Sequence, residues 1–481
     1  MNLILCLKIK VVILIIQMEF DFGKVVRAMR VRLQRAKIKN FRNVENGEIR
    51  FACNFNDNIF ASGSDILGIY GQNGSGKTAF ICVLRLLKSL ISGSTISEQM
   101  LDDINKNKKQ GFLEFEFSVE APEGQYRLVY SAQISKDRLS EEIKVYQFEG
   151  NEWNRLRRVM QQDSSDMTNL VLPKSSIEKF IPAAVINDMK VVKILCAKER
   201  RSFLFSSEML NLIRKNTNVA SVPWIAVNEF AKFNLFVVTG VTSGLIFTET
   251  VMPIHFKMAD AQGNIALPMN EHKVIPMTVY NTIIRVIDAI NTVLCKIVPG
   301  MQIKLADLGN ELQEDGELWK RVQLVRPIVY EDGEELNLPL KFESEGIKKI
   351  ISILHLYIAA YNNDSITVAI DELDSGIFEY LLAELLSIMQ DSGKGQLIFT
   401  SHDLCPLERL PSKSIIFTTT NPKNRYTRMT IKSTNNLRNC YIREVALGGG
   451  TNDPLYEETN RIEIAHVLRK VGRLTRNGGD S

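Results

Sequence analysis

Over residues 30–41 Val31, Leu33, Ala36 and Ile38 are set between basic side chains, a pattern that predicts a strand with one solvated face. A second strand ending in Ile66-Leu67-Gly68-Ile69-Tyr70 leads into a glycine-rich turn. Residues 77–92 then take helical spacing through Phe80, Val83, Leu84, Leu87 and Ile91. Alternation returns at Leu113, Phe115, Phe117 and Val119, again at Tyr126, Leu128, Tyr130, Ala132 and Ile134, and once more over 142–148, predicting an antiparallel meander. From about 175 to 300 the pattern reads as mostly helical. Its clearest helix is 277–297, bracketed by Pro276 and Pro299. The apolar runs 366–370 (ITVAI) and 396–400 (QLIFT) read as buried parallel strands, with 414–418 (SIIFT) a weaker third. Heptads do not persist, so no long coiled coil is expected.

The chain has 481 residues, enough for about two to four structural units. With 45% apolar and 24% charged residues it is neither disordered nor polytopic. Its charge is uneven. Residues 1–50 carry a net +7 and 411–481 a net +6, against −9 for 51–410. The seven cysteines are dispersed and form no CxxC pair, as expected of buried thiols in a reducing cytoplasm. Residues 3–16 are apolar but too short to span a bilayer, and no small-residue cleavage site follows. They are either an extra strand or the product of an upstream start. The second is preferred, because Met29 opens the more ordinary MRVRLQRAKIKNF.

Gly71-Gln72-Asn73-Gly74-Ser75-Gly76-Lys77-Thr78 matches GxxxxGK[ST] between an apolar strand and an amphipathic helix. Glycines let backbone N–H groups converge on phosphate oxygens, and the helix N-terminus adds positive potential. Lys77 is placed for the β- and γ-phosphates and Thr78 for Mg²⁺. Residues Gly71, Asn73, Gly74, Ser75, Gly76, Lys77 and Thr78 are therefore candidate nucleotide ligands. Ile366–Ile370 delivers Asp371 and Glu372 at a strand end, where ligands sit in open α/β sheets. Asp371 suits the Mg²⁺ shell, and Glu372 suits a general base. His402, after the next strand, is a candidate γ-phosphate sensor. His255, His272, His355 and His466 have no such context, and His355 is expected to be a satisfied core residue. Ser344-Glu345-Gly346 opens an apolar helix and makes a second candidate anion site.

Taken in order, the phosphate loop, ESEG turn, IDELD strand and TSHD turn resemble an ABC-type ATPase. The resemblance is to the RecF, SMC and OLD group rather than to transporters, whose signature is LSGGQ. The segment KIKNFRNV at 37–44 resembles that group's first strand. The resemblance covers about 29–120 and 335–420 and extends to AAA-type ATP-binding proteins of anti-phage defence. It implies ATP and Mg²⁺ as cofactors, and a head-to-tail homodimer or higher even oligomer through ATP. In that dimer the Ser344-Glu345-Gly346 turn of one subunit would cap the γ-phosphate held by Lys77 of the other. Phe378 stands where SMC-like proteins carry a D-loop Asp, which puts that trans contact in question. Gln110 and Gln133 are candidates for the Q-loop glutamine. The 300 positions between Gly71 and Asp371 are too few for SMC arms, and the 79 residues after His402 do not suit an appended Toprim nuclease.

The expected fold is thus α/β, a P-loop NTPase of ABC-ATPase type with an antiparallel β lobe and an inserted, mostly helical region. The expected organisation is an extension at 1–28, ATPase lobe I at 29–175, a mostly helical insertion at 176–330, lobe II at 331–430 and a basic segment at 431–481. The leading function is an ATP-hydrolysing switch that couples turnover to DNA or a partner effector, in anti-phage defence or DNA maintenance. The alternative is an ATP-locked scaffold that sequesters a nuclease or toxin with little turnover. Arg27, Arg30, Arg32, Arg35, Lys37 and Lys39, with Arg425, Arg428, Lys432, Arg438 and Arg443, are the candidate DNA surface. With no base-reading motif, such binding would be sequence-tolerant and steeply salt-dependent. No membrane association is expected.

Overall fold

A computed structural model describes residues 29–51, 63–149, 152–154, 157–166, 170, 181–215, 221–240, 251–257, 262–269, 271–312, 318–330, 333–429, 436–446, 453–457 and 460–477. The extension 1–28, Arg27 and Lys432 lie outside the described residues. In the first half, β1 (Arg30–Lys39), β2 (Gly47–Arg50), β3 (Asp65–Tyr70), α1 (Lys77–Ser92), β4 (Gly111–Ala121), β5 (Gly124–Ile134), β6 (Leu139–Glu149) and β7 (Arg157–Asp163) follow in order. β8 (Leu235–Val238), α2 (Met277–Ile297), α3 (Glu345–Asn362), β9 (Thr367–Ile370), α4 (Glu379–Ser392), β10 (Gln396–Thr400), β11 (Ile415–Thr418) and β12 (Tyr426–Thr427) complete the frame.

Two sheets organise the molecule. An antiparallel sheet runs β2-β1-β4-β5-β6, with β7 on the far side of β6. Its meander follows from the alternating apolar positions, since Leu113, Phe115, Phe117 and Val119 are all fully buried. The second sheet runs β12-β11-β3-β10-β9-β8, parallel except for β12. α1 and the helix Ser221–Phe233 fill the space between the sheets, where Phe117 meets Phe230 edge to face at 6.0 Å. The fold class is therefore α/β with an antiparallel lobe, as the pattern predicts. α1 and α2 begin and end where the periodicity and the prolines place them.

Three expectations change. First, the stretch 176–330 is mixed rather than mostly helical: among the described residues, helices run to Phe233 and return only as α2. Beyond Phe233 lie β8, an antiparallel pair (Val251–Lys257 with Gln262–Pro268), and the strands Lys273–Pro276, Lys304–Leu312 and Leu318–Val329, as well as α2. Nor is the stretch a separate insertion, because β8 is an edge strand of the parallel sheet, in register with β9 from Leu235↔Thr367 to Val238↔Ile370. A four-residue apolar run has no period long enough to tell a strand from a helix.

Second, β1 has a solvated basic face only in its second half, where Arg35 and Lys37 are half-buried and Lys39 is exposed, while its first half is buried on both faces. Arg32 is buried and donates through Nη2 to the carbonyls of Gly63 (2.8 Å) and Lys394 (3.2 Å). Gln34 is buried too, bonded to Ser118 Oγ at 2.8 Å. The Gln396 side chain pairs with both the N–H and the carbonyl of Leu33 at 2.8 Å, locking β1 against the end of β10.

Third, the basic residues proposed for DNA are engaged within the fold. Arg30 faces Glu120 and Asp364, Arg35 faces Glu114 at 2.9 Å with Glu116 and Glu48 nearby, and Lys37 faces Glu48. Arg438 pairs with Glu408 at 2.7 Å. Arg425 and Arg428 donate to backbone carbonyls. Half-exposed pairs of this kind are worth about 0–1 kcal/mol each. They offset part of the charge of the basic segments, while Lys39 and Arg443 stay exposed.

Candidate functional site

The parallel sheet sets out the site. β3 and β9 end side by side with β10 between them, so each of the three strands delivers one part of the chemistry to the same edge. β3 is buried along its whole length and turns at Gly71 into the loop that opens α1. Gly71 is needed there, since a Cβ would lie 1.8 Å from Thr418 Oγ1 of the neighbouring β11. Ser75 Oγ donates to Gln72 O at 2.6 Å and meets the Thr418 hydroxyl. Lys77, nearly buried, donates through Nζ to Gly71 O (2.7 Å) and Gln72 O (3.0 Å). Burial pushes its ammonium below the usual lysine range, against the opposing pull of Asp371, Asp374 and Glu372. Asn73 and Gly74 lie on the exposed rim of the turn, where the Gly74 carbonyl accepts from Asn43 Nδ2.

Residues outside the sequence motif brace this loop. Tyr426 OH, fully desolvated, donates to Gly76 O at 3.0 Å. Arg425 bridges Thr419 O and Asn43 O at 2.6 Å each. Arg425 belongs to the segment read as a basic surface, yet it is 5% exposed. Only the strand signal at 414–418 hinted that this region reaches the loop.

At the end of β9, Asp371 is 2% exposed. Its Oδ1 accepts from Thr78 Oγ1 (3.2 Å) and from Thr400 Oγ1 (2.7 Å). The same Thr400 oxygen accepts the Glu372 backbone N–H at 2.8 Å. Glu372 itself is exposed and has φ 50°, in the left-handed region that side chains seldom occupy. Such a conformation costs about 1–3 kcal/mol and persists only where its surroundings hold it. Here the Thr400 bond and the Leu373 N–H to Thr400 O bond (3.0 Å) hold it from both sides. Thr78, Asp371, Thr400 and Glu372 thus form one continuous chain, and Thr400 is the member that motif reading missed.

His402 follows β10. Its backbone N–H and that of Asp403 donate to Asp374 Oδ2 at 2.9 and 3.1 Å. Burial and the Lys77 charge push its imidazole below the ordinary histidine range, and the three acids pull the other way. His402 therefore feels the phosphate-loop lysine and the acidic turn together, as its offset predicted.

The Ser344-Glu345-Gly346 turn lies elsewhere. Ser344 caps α3, its Oγ accepting from Ile347 N at 3.3 Å. Gly346 is packed against Gly376, where a Cβ would lie 1.9 Å from the Gly376 carbonyl. Among the described residues the turn makes no hydrogen bond to the 71–78 loop. Gln110 and Gln133 bond to each other at 2.8 Å on the antiparallel sheet. His355 is buried as expected but not satisfied, because its Nδ1 has no partner.

A divalent ion fits the edge. Mg²⁺ keeps several waters and uses one or two protein ligands plus substrate phosphates. Thr78 Oγ1 and Asp371 Oδ1, 3.2 Å apart beside the loop, are such a pair. No group of three or more His, Cys, Asp or Glu side chains suits a self-contained metal site among the described residues.

The architecture is α/β, with the loop strand, the acidic strand and an intervening strand in one parallel sheet and an antiparallel lobe beside it. Residues 35–217 match the family model described as an AAA domain, a span that contains the phosphate loop. No curated protein matches the sequence. Among solved structures, the chain is similar to the SmcHead bound to the C-winged helix domain of ScpA, at 13% identity and TM-score 0.41, covering 83% of this chain and 98% of that one. It is also similar to the Smc head domain with an extended coiled coil bound to the C-terminal domain of ScpA derived from Pyrococcus furiosus, at 13% identity, TM-score 0.38 and coverage of 83% and 96%. A third is the SMC head domain from Thermotoga maritima, at 13%, 0.35, and coverage of 83% and 100%. No helix among the described residues is long and apolar enough to cross a membrane.

Proposed function

We propose that this chain binds and hydrolyses ATP as a molecular switch, dimerises around the nucleotide and couples turnover to a partner effector or DNA. The observation that carries the reading is the hydrogen-bonded chain Thr78–Asp371–Thr400–Glu372 beside the phosphate loop. Gly71, Asn73, Gly74, Ser75, Gly76 and Lys77 would hold the triphosphate, with backbone N–H groups and the α1 N-terminus facing its oxygens. Thr78 and Asp371 would hold Mg²⁺, which supplies neutralisation of phosphate charge. Thr400 keeps Asp371 oriented. Glu372, on its constrained backbone, is aimed to take a proton from the attacking water, and His402 to report the γ-phosphate. Ser344, Glu345 and Gly346, which make no hydrogen bond to their own loop among the described residues, would serve the site of a second copy. Ion pairing of Arg30, Arg35, Lys37 and Arg438 lowers the weight of charge as an argument for DNA, and a separate effector such as a nuclease or toxin, in a defence or DNA-maintenance setting, is the other partner this reading allows.

Glu372→Gln tests it. Mg²⁺-dependent ATP turnover should fall by about 100-fold or more, while ATP binding persists and a dimer accumulates. A wild-type protein without turnover, with or without DNA, would sink the ATPase reading. The exposed Phe378 at the D-loop position keeps the scaffold alternative in view. If partner sequestration is equally strong in wild type and Glu372→Gln, ATP is a lock rather than a fuel.

A further inference from the structure

Lys349 belongs to no sequence motif, yet it is 1% exposed. It lies on α3 one turn after Gly346, so the two share a helix face. Gly346 is in backbone contact with Gly376, in the turn that follows the acidic pair. Further along α3, Ile350 and Leu354 share one buried apolar cluster with Val368, Ile370 and Leu373 of β9 and its exit. The face that carries Lys349 is therefore laid against the acidic turn. A buried ammonium is tolerated only with counter-charge or hydrogen bonds, and Lys349 is engaged. The carboxylates that act on it are those of Asp371, Glu372 and Asp374, which oppose the effect of its burial.

We propose that Lys349 is a positioning residue for the hydrolytic centre: its ammonium, delivered by the helix that starts at Ser344, balances the carboxylates of Asp371, Glu372 and Asp374 from inside the fold. Three carboxylates within one four-residue turn repel each other and recruit stray cations or protons. One fixed internal cation lets Asp371 and Glu372 keep separate tasks. Because that cation rides on the helix behind the Ser344 turn, displacement of the turn also moves the charge that acts on Glu372. Lys77 feels the same three carboxylates from the phosphate loop, whereas Lys349 meets them from the α3 side.

The inference rests on the ATPase reading, and the test separates the two. Turnover of the wild type is measured first, and its absence would remove the ATPase reading itself. In an active protein, Lys349→Met should lower kcat by about 10-fold or more with KM for ATP within about 3-fold, because the phosphate loop is untouched. Asp374→Asn keeps an acceptor oxygen for the His402 and Asp403 N–H groups and removes one charge. Added to Lys349→Met, it should restore kcat part of the way, a non-additivity that a merely structural lysine would not show. Where Lys349→Met lowers melting temperature or yield instead, Asp374→Asn should restore that. Unchanged kcat in a folded Lys349→Met protein, or no rescue of either quantity by Asp374→Asn, overturns the proposal.

Discussion

At the scale of single residues, one hydroxyl does what two motifs leave undone. Thr400 donates to Asp371 and accepts from the Glu372 N–H, so the candidate ion-holding and base groups share one reference point. His355 shows the opposite economy, a polar side chain buried in α3 with its Nδ1 unpartnered. Burial pushes its pKa down to about 4 from an ordinary 6.5. Above pH 6.5 the imidazole is neutral in both folded and unfolded chains and has no effect on stability. As pH falls from 6.5 towards 4, the unfolded chain takes up a proton that the folded one refuses, and stability is lost on the order of 2–3 kcal/mol. Melting temperatures between pH 7 and pH 4.5 should therefore fall less steeply for His355→Leu than for the wild type. Parallel curves would show that His355 does not contribute.

At the scale of elements, α3 and the turn after β9 behave as one body. Gly346 and Gly376 meet backbone to backbone, and Gly376 has φ 76°. Gly346→Ala would drive a Cβ into the Gly376 carbonyl and force the start of α3 away from the acidic turn. Overpacking of this kind costs about 1–3 kcal/mol. Urea unfolding should register the loss, and turnover should drop with it. ATP binding to the phosphate loop should survive, because the loop depends on β3, β11 and Tyr426 instead. An alanine variant with wild-type turnover would uncouple the two elements. These relations also mark how far the sequence could be read. α1, α2, β9 and β10 were legible because each has a period or a clear apolar run with defined ends. The helix cap at Ser344 was legible from its turn chemistry. β8 was not, because four apolar residues carry no period. The burial of Arg32 and Arg425 was not, because a guanidinium that satisfies backbone carbonyls looks, in sequence, like one that faces solvent. Thr400 and Lys349 were not, because their roles come from strands and helices that meet only after folding.

At the scale of the whole molecule, part of the N-terminal basic charge is met by internal ion pairs of Arg30, Arg35, Lys37 and Arg42. Among the exposed apolar side chains are aromatic ones near the acidic turn. Phe378 is 68% exposed and Tyr380 59%, with their rings 5.5 Å apart at the start of α4. Phe342, two residues before Ser344, is 62% exposed. The Gly346–Gly376 contact joins the turns that carry Phe342 and Phe378. Exposed aromatics beside a candidate γ-phosphate cap suit a face that is covered when ATP brings two copies together, since buried aromatics dominate interface energetics. A carboxylate at position 378 would reach a partner through hydrogen bonds, whereas a phenyl ring can only contribute area. Phe378→Ser should leave the monomer's stability within about 0.5 kcal/mol, because the ring touches little in its own chain. In a Glu372→Gln background with Mg²⁺ and ATP, the same change should weaken dimerisation by about 10-fold or more, read by sedimentation across a concentration series. A dimer of unaltered strength would place the aromatic pair outside the interface. Weakened dimerisation with intact ATP binding would make this face, rather than any basic surface, the means by which the chain recognises a second copy of itself.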